Sequence, residues 1–85
     1  MSKLNKTEIE WLDKLQLILN LCPSERLGFY TIGGGELFVY DLSKLGVIEE
    51  IQYKTGKDYP VCIERAGADF NYFLNFPARV DGVAG

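Results

Sequence analysis

The 85-residue chain has no histidine and only two cysteines, Cys22 and Cys62, which lie far apart in the sequence. Without histidine it lacks the side chain that most often performs acid–base catalysis near neutral pH. Two thiols alone leave a tetrahedral zinc site half empty, so we expect no bound metal. Small secreted domains usually carry more cysteines than this, because they are dense in disulfides. The low cysteine count therefore favours two reduced, buried thiols, with a disulfide between them as the alternative.

Long apolar runs and a strong charge bias are also missing. Hydrophobic residues make up 47% of the chain, but even the longest uninterrupted apolar stretches have only a few residues, as at 17–19. A membrane-spanning helix is therefore excluded. No apolar run follows residues 1–6, so we expect no signal peptide and place the protein in the cytoplasm. The formal net charge of −3 disfavours non-specific binding to nucleic acid.

The first predicted element is an amphipathic helix over residues 7–22. Thr7 and Glu10 fit a capping box, and Pro23 stops the helix because the residue before a proline avoids the helical region. The apolar side chains then share one face at helical spacing. They are Trp11, Leu12, Leu15, Ile18, Leu19 and Cys22.

Two strands follow, over residues 27–32 and 36–41, joined by the glycines at 33–35. The glycines suit the positive φ angles of a hairpin turn. They do not fit a phosphate loop, since no lysine follows and the next segment is a strand. Both faces of the hairpin are largely apolar, so either a helix covers each face or one face meets a partner.

Residues 42–55 favour a second helix that Gly56 ends as a left-handed cap. Gly46 weakens that helix, and a strand over 47–53 is the alternative. The choice between helix and strand stays open at this point.

A second hairpin is predicted after this segment. Residues 59–65 fit a strand with Val61 and Ile63 pointing inward, and Pro60 places that strand at an edge or at its first residues. Residues 70–76 fit a last strand, which Pro77 ends.

The order helix, hairpin, helix, hairpin predicts an α+β fold with a four-stranded, mainly antiparallel sheet packed against helices. A chain of this length forms a single domain, 1–85, with a loose leader over 1–6 and a loose tail over 78–85. The order of the strands and the distance between the two cysteines stay open.

The sequence lacks the residue patterns that catalysis and nucleic-acid binding require. Nothing pairs the carboxylates for acid–base work, so we assign no catalytic residue and no cofactor and predict that the protein is not an enzyme. The strand aromatics could stack on single-stranded nucleic acid, which is one alternative function. Its basic partners are few, however, and the RNA-reading octapeptide is absent.

Binding to another protein fits the composition best. Five tyrosines and five phenylalanines are more rings than so small a core easily hides, and tyrosine and arginine are prominent in interface energetics. We predict a partner-binding face made of Arg26, Tyr30, Tyr40 and Tyr72. A homodimer would use the same surface, so a self-associating structural protein is the second alternative.

Two segments resemble the small accessory proteins of tailed phages and prophages of enteric bacteria. They are residues 22–33 (CPSERLGFYTIG) and 74–85 (LNFPARVDGVAG). The resemblance brings no catalytic motif. It implies a protein that binds a host or phage protein in the cytoplasm of a bacterial host, in some cases as an inhibitor of a host complex or a defence system such as a CRISPR complex.

Overall fold

The computed structural model describes residues 2–81 of the chain. Within that range it forms three α-helices, a short 3-10 turn and a three-stranded antiparallel sheet of strand order β1-β2-β3. In chain order the elements are α1 (Lys6–Asn20), β1 (Leu27–Tyr30), β2 (Gly34–Asp41), the 3-10 turn (Leu42–Lys44), α2 (Leu45–Thr55), α3 (Tyr59–Arg65) and β3 (Asp69–Val80). The α+β class is therefore as predicted, but the four-stranded sheet with two hairpins is wrong.

The missing strand is a helix. Residues 59–65 form α3, with Pro60 in its first turn and Asp58 at its N-cap. Proline is well placed there, because the amide that it lacks has no partner within the first helical turn. The residues that meet the core, Tyr59, Cys62, Ile63 and Ala66, follow a helical spacing. The strand interpretation was wrong because it followed the alternation of Val61 and Ile63 alone.

The side of the sheet that packs on α2 and α3 is its inner face. The two helices and the turn after α3 supply Ile48, Cys62, Ile63 and Ala68, which are fully or almost fully buried. The sheet supplies Tyr40, which is 7% exposed. These five residues form the hydrophobic core, and burial of their apolar surface is the main force that holds the two layers together.

The inner face also carries a row of aromatic rings. Tyr30 stacks on Phe38 with centroids 5.2 Å apart, and Tyr40 meets Tyr59 of α3 edge-on at 6.0 Å. Such offset and edge-to-face pairs add to the energy of burial. Phe73 of β3 extends the row past Phe38, and this residue is 48% exposed.

The helix predicted at 42–55 is confirmed, and it begins with the 3-10 turn. Asp41 caps that turn through the amide of Ser43, and Gly56 ends α2 with φ of 66°. The left-handed conformation explains the glycine, because a side chain would be strained there.

The first helix is present, but the residues predicted to cap it were wrong. Asn5, not Thr7, is the N-cap: its side chain accepts from the Glu8 amide, and the Glu8 side chain accepts in return from the Asn5 amide. Asparagine is as strong an N-cap as threonine or stronger, and the reciprocal pair moves the start of the helix to Lys6, inside the predicted leader.

The last strand is longer than predicted. It runs past Pro77 to Val80, so residues 78–80 belong to β3 and not to a loose tail. Because β3 is an edge strand, the missing proline amide costs it little. Of the rest of the predicted tail, Asp81 follows the strand and is exposed, and residues 82–85 lie outside the described residues. No helix within residues 2–81 is long and apolar enough to cross a bilayer.

Candidate functional site

An apolar groove runs between α1 and the outer face of the sheet, which is the face turned away from α2 and α3. The helix side is formed by Ile18, Leu19 and Cys22, and Arg26 lies where the connection reaches the sheet. The sheet side is formed by alternate residues of the three strands. They are Leu27, Phe29, Val39, Phe70, Tyr72 and Leu74. We call this space the helix–sheet groove.

The helix–sheet groove has a volume of about 820 Å³. A second recess of about 360 Å³ continues it toward the start of α1, where Trp11 and Leu15 face Phe76 and Pro77. The two recesses share Leu19 and the neighbouring sheet residues. The apolar space therefore follows much of the length of α1.

The groove is wide because α1 does not pack closely on the sheet. None of its 15 residues, all of them described by the structure, is buried, although α1 carries a continuous apolar stripe. Trp11 is 53% exposed, Ile18 67% and Leu19 51%. A stripe of this kind normally gains its energy by burial against another element. Here a large part of the stripe stays exposed, so the packing of α1 within the chain gains only part of that energy.

Arg26 is held in place at the rim of the groove. Its guanidinium lies 3.4 Å from a carboxylate oxygen of Asp41 and 5.1 Å above the centre of the Phe70 ring. The ring stacking and the ion pair restrict the side chain while leaving it 60% exposed.

Asp41 is the negative partner of this rim. It is 7% exposed and accepts hydrogen bonds from the hydroxyl and the amide of Ser43. The Ser43 hydroxyl, and after it the Ser43 amide and Arg26, hold the pKa of Asp41 below its usual value. The charged carboxylate therefore persists to a lower pH than that of an ordinary aspartate and forms the ion pair with Arg26.

The four residues of the predicted partner-binding face fall on two different faces of the sheet. Tyr72 is 64% exposed and lines the helix–sheet groove together with Arg26. Tyr30 and Tyr40 lie on the inner face, where Tyr40 belongs to the core and Tyr30 packs against it. Tyr72 pairs with Val39, the neighbour of Tyr40 on β2, and neighbours on a strand point to opposite sides, so Tyr72 faces away from Tyr30 and Tyr40.

Burial of the tyrosines on the inner face shifts the pKa values of Tyr59 and Tyr30. Burial, helped by a 3.5 Å contact between its hydroxyl and that of Tyr40, raises the pKa of Tyr59 to about 12. Burial also raises the pKa of Tyr30, and the charge of Asp69 raises it further. Ionisation of these hydroxyls therefore requires a higher pH than that of an ordinary tyrosine, in keeping with two rings that pack against the core.

Sequence reasoning missed the apolar residues of the groove, among them Leu19, Phe29 and Val39. The available signal was the hairpin with two apolar faces, which requires two covers. The inner face has its cover in α2 and α3, whereas the cover that α1 gives the outer face is incomplete.

The two thiols take different positions. Both are free; Cys62 is buried as predicted, but Cys22 is exposed. The Cys22 thiol lines the helix–sheet groove and donates to the Ser24 carbonyl at 3.3 Å. Within residues 2–81 no group of three or more histidine, cysteine, aspartate or glutamate side chains is placed to hold a metal ion.

No protein-family model matches the chain, and neither the curated proteins nor the solved structures contain a significant match to it.

Proposed function

We propose that this protein is a non-enzymatic binding protein whose helix–sheet groove receives an apolar surface of another polypeptide chain. The observation that carries the proposal is the incomplete cover of the outer face, since an apolar helix and an apolar sheet face oppose each other without closing. Large contiguous apolar surfaces of this kind mark interaction sites.

The composition of the groove supports a protein partner over nucleic acid. Among the described residues that line it, Arg26 is the one positively charged side chain, and it is paired with Asp41. A nucleic-acid site needs several unpaired cations to neutralise phosphates. An apolar groove with a tyrosine and an arginine at its edge instead resembles the centre of a protein interface.

The class of partner and the compartment complete the proposal. The partner in this proposal is a host or phage protein, which the resemblance of residues 22–33 and 74–85 supports. The compartment is the cytoplasm of a bacterial host, which the resemblance and the chain composition support. Inhibition of a host complex is the biological role that this resemblance suggests.

The experiment compares two tyrosine variants in an affinity capture from nuclease-treated bacterial lysate that also contains an untagged copy of the chain. Tyr72→Ala removes a ring of the groove, whereas Tyr53→Ala removes a 92% exposed ring on α2, outside the groove. Loss of a buried interface tyrosine weakens binding by about 10-fold or more. We expect wild type and Tyr53→Ala to retain a bound protein through a high-salt wash and Tyr72→Ala to lose it.

Two results would contradict the proposal. In the first, wild type retains no protein at all, neither the untagged copy nor another chain. In the second, Tyr72→Ala retains as much as Tyr53→Ala. Material lost at high salt or after nuclease treatment would favour the nucleic-acid alternative, because phosphate contacts weaken steeply with salt.

A further inference from the structure

We infer that the polypeptide chain which the helix–sheet groove receives is a second copy of this protein. The two copies then form a homodimer through α1 and the outer face of the sheet. This inference rests on the proposed function, because it names the occupant of the same groove; a host or phage protein in that groove is the other occupant, and the test below distinguishes the two.

The surface area of the chain is the first argument. The accessible surface is 6982 Å² for a mass of 9.6 kDa, whereas a compact monomer of that mass exposes about 5,100 Å². The excess of about 1,900 Å² per chain lies within the range of about 1,000–2,500 Å² that each subunit of an obligate dimer buries. The chain as a whole therefore exposes enough surface for a dimer of that class, and the helix–sheet groove is one part of that surface.

The dimensions agree with the surface. The radius of gyration is 15.6 Å, with principal extents of 48 × 29 × 21 Å, against about 12 Å for a compact domain of this length. The core joins α2 and α3 to the part of the inner face around Tyr40, whereas α1 has no buried residue, so the α1 side is an open part of the molecule. A partner seated there closes the structure where it is open.

The surface is also able to pair with itself. In a two-fold dimer the same patch occurs on both subunits. The apolar stripe of α1 in each subunit must therefore pack on the apolar sheet face of the other subunit. Both belong to one groove here, and the stripe of one copy can cover the outer face of the other. Leu19 and Ile18 on α1 and Phe29 and Tyr72 on the sheet are the side chains that this pairing removes from water.

Charge does not oppose the pairing. Each chain has a formal net charge of −3, but among the described residues that line the groove the one ionic side chain is Arg26, neutralised by Asp41. The contact is therefore apolar at its centre, and added salt should leave it intact.

The test is the mass of the purified protein by analytical ultracentrifugation, from low to high micromolar concentration, for wild type and for two matched variants. Leu19→Asp places a charge in the groove. Leu17→Asp makes the same change on the same helix at a 60% exposed position that lines no part of the groove. Circular dichroism checks that each variant keeps its helices, and Ile18→Asp gives a second groove variant.

Wild type and Leu17→Asp should sediment at twice the 9.6 kDa chain mass. Leu19→Asp and Ile18→Asp should each raise the dimer dissociation constant by about 100-fold or more, because a buried charge without a partner is costly. A wild-type monomer at every concentration would overturn the inference, as would equal dissociation of Leu17→Asp and Leu19→Asp. If wild type is monomeric but still captures another protein through Tyr72, the second copy is excluded and the proposed function stands.

Discussion

Replacing Ile63 with alanine should lower the free energy of unfolding by about 2–5 kcal/mol. Ile63 of α3 is 0% exposed and belongs to the core together with Ile48 of α2 and Tyr40 of the sheet. Its truncation removes apolar contacts and leaves a cavity in the best-packed part of the molecule. For a domain whose total stability is about 5–15 kcal/mol, that loss is large.

The matched control is Ile32→Ala, the same change at a 69% exposed position after β1. It should alter the free energy of unfolding by no more than about 0.5 kcal/mol. Urea unfolding at one fixed protein concentration measures both variants, since a dimer would make stability depend on concentration. Equal losses at the two positions would contradict the core described here.

Replacing Gly28 with alanine should also be strongly destabilising. A Cβ atom at this position would lie 2.6 Å from two ring atoms of Tyr40, and Tyr40 is a buried core residue that cannot simply swing away. Relief of the clash must displace the ring and its contact with Tyr59. We expect a loss of about 1–3 kcal/mol in the free energy of unfolding.

Gly46→Ala is the control with the opposite sign. Gly46 lies in α2, and a Cβ atom built there meets nothing within 4 Å. Alanine favours the helix over glycine by about 0.5–1 kcal/mol, so this variant should be more stable than wild type. Thermal unfolding of the two variants side by side measures both shifts. A Gly28→Ala protein as stable as Gly46→Ala would contradict the packing of Tyr40 on β1.

Local patterns were enough to predict much of the fold. A few neighbouring residues are enough to predict each of three features: the apolar stripe of α1, the glycine-linked strands before Asp41 and the helix cap at Gly56. The α3 segment failed because seven residues support either period. Its helical signal was Pro60 in a first turn together with apolar residues at Tyr59, Cys62 and Ile63.

The candidate site was less accessible to prediction for a physical reason. Composition shows that aromatic rings are in excess, but it does not show which rings a folded sheet buries. Tyr40 and Tyr72 look alike in the sequence, and the register puts them on opposite faces, one in the core and one in the groove. The groove itself depends on how far α1 stands from the sheet, which no local pattern encodes.

The reactivity of the native thiol of Cys22 tests the central claim most directly. Cys22 is exposed and lines the groove, whereas Cys62 is buried and serves as an internal reference. The measurement is the rate at which a thiol reagent labels each cysteine, resolved by mass spectrometry, across a range of protein concentrations. We predict that in wild type the Cys22 rate is slow at the micromolar concentrations where the dimer forms and rises when the protein is diluted below them, and that it is fast throughout in Leu19→Asp. A Cys22 rate that is the same at every concentration, and the same in both proteins, would contradict the claim that a second copy covers the groove.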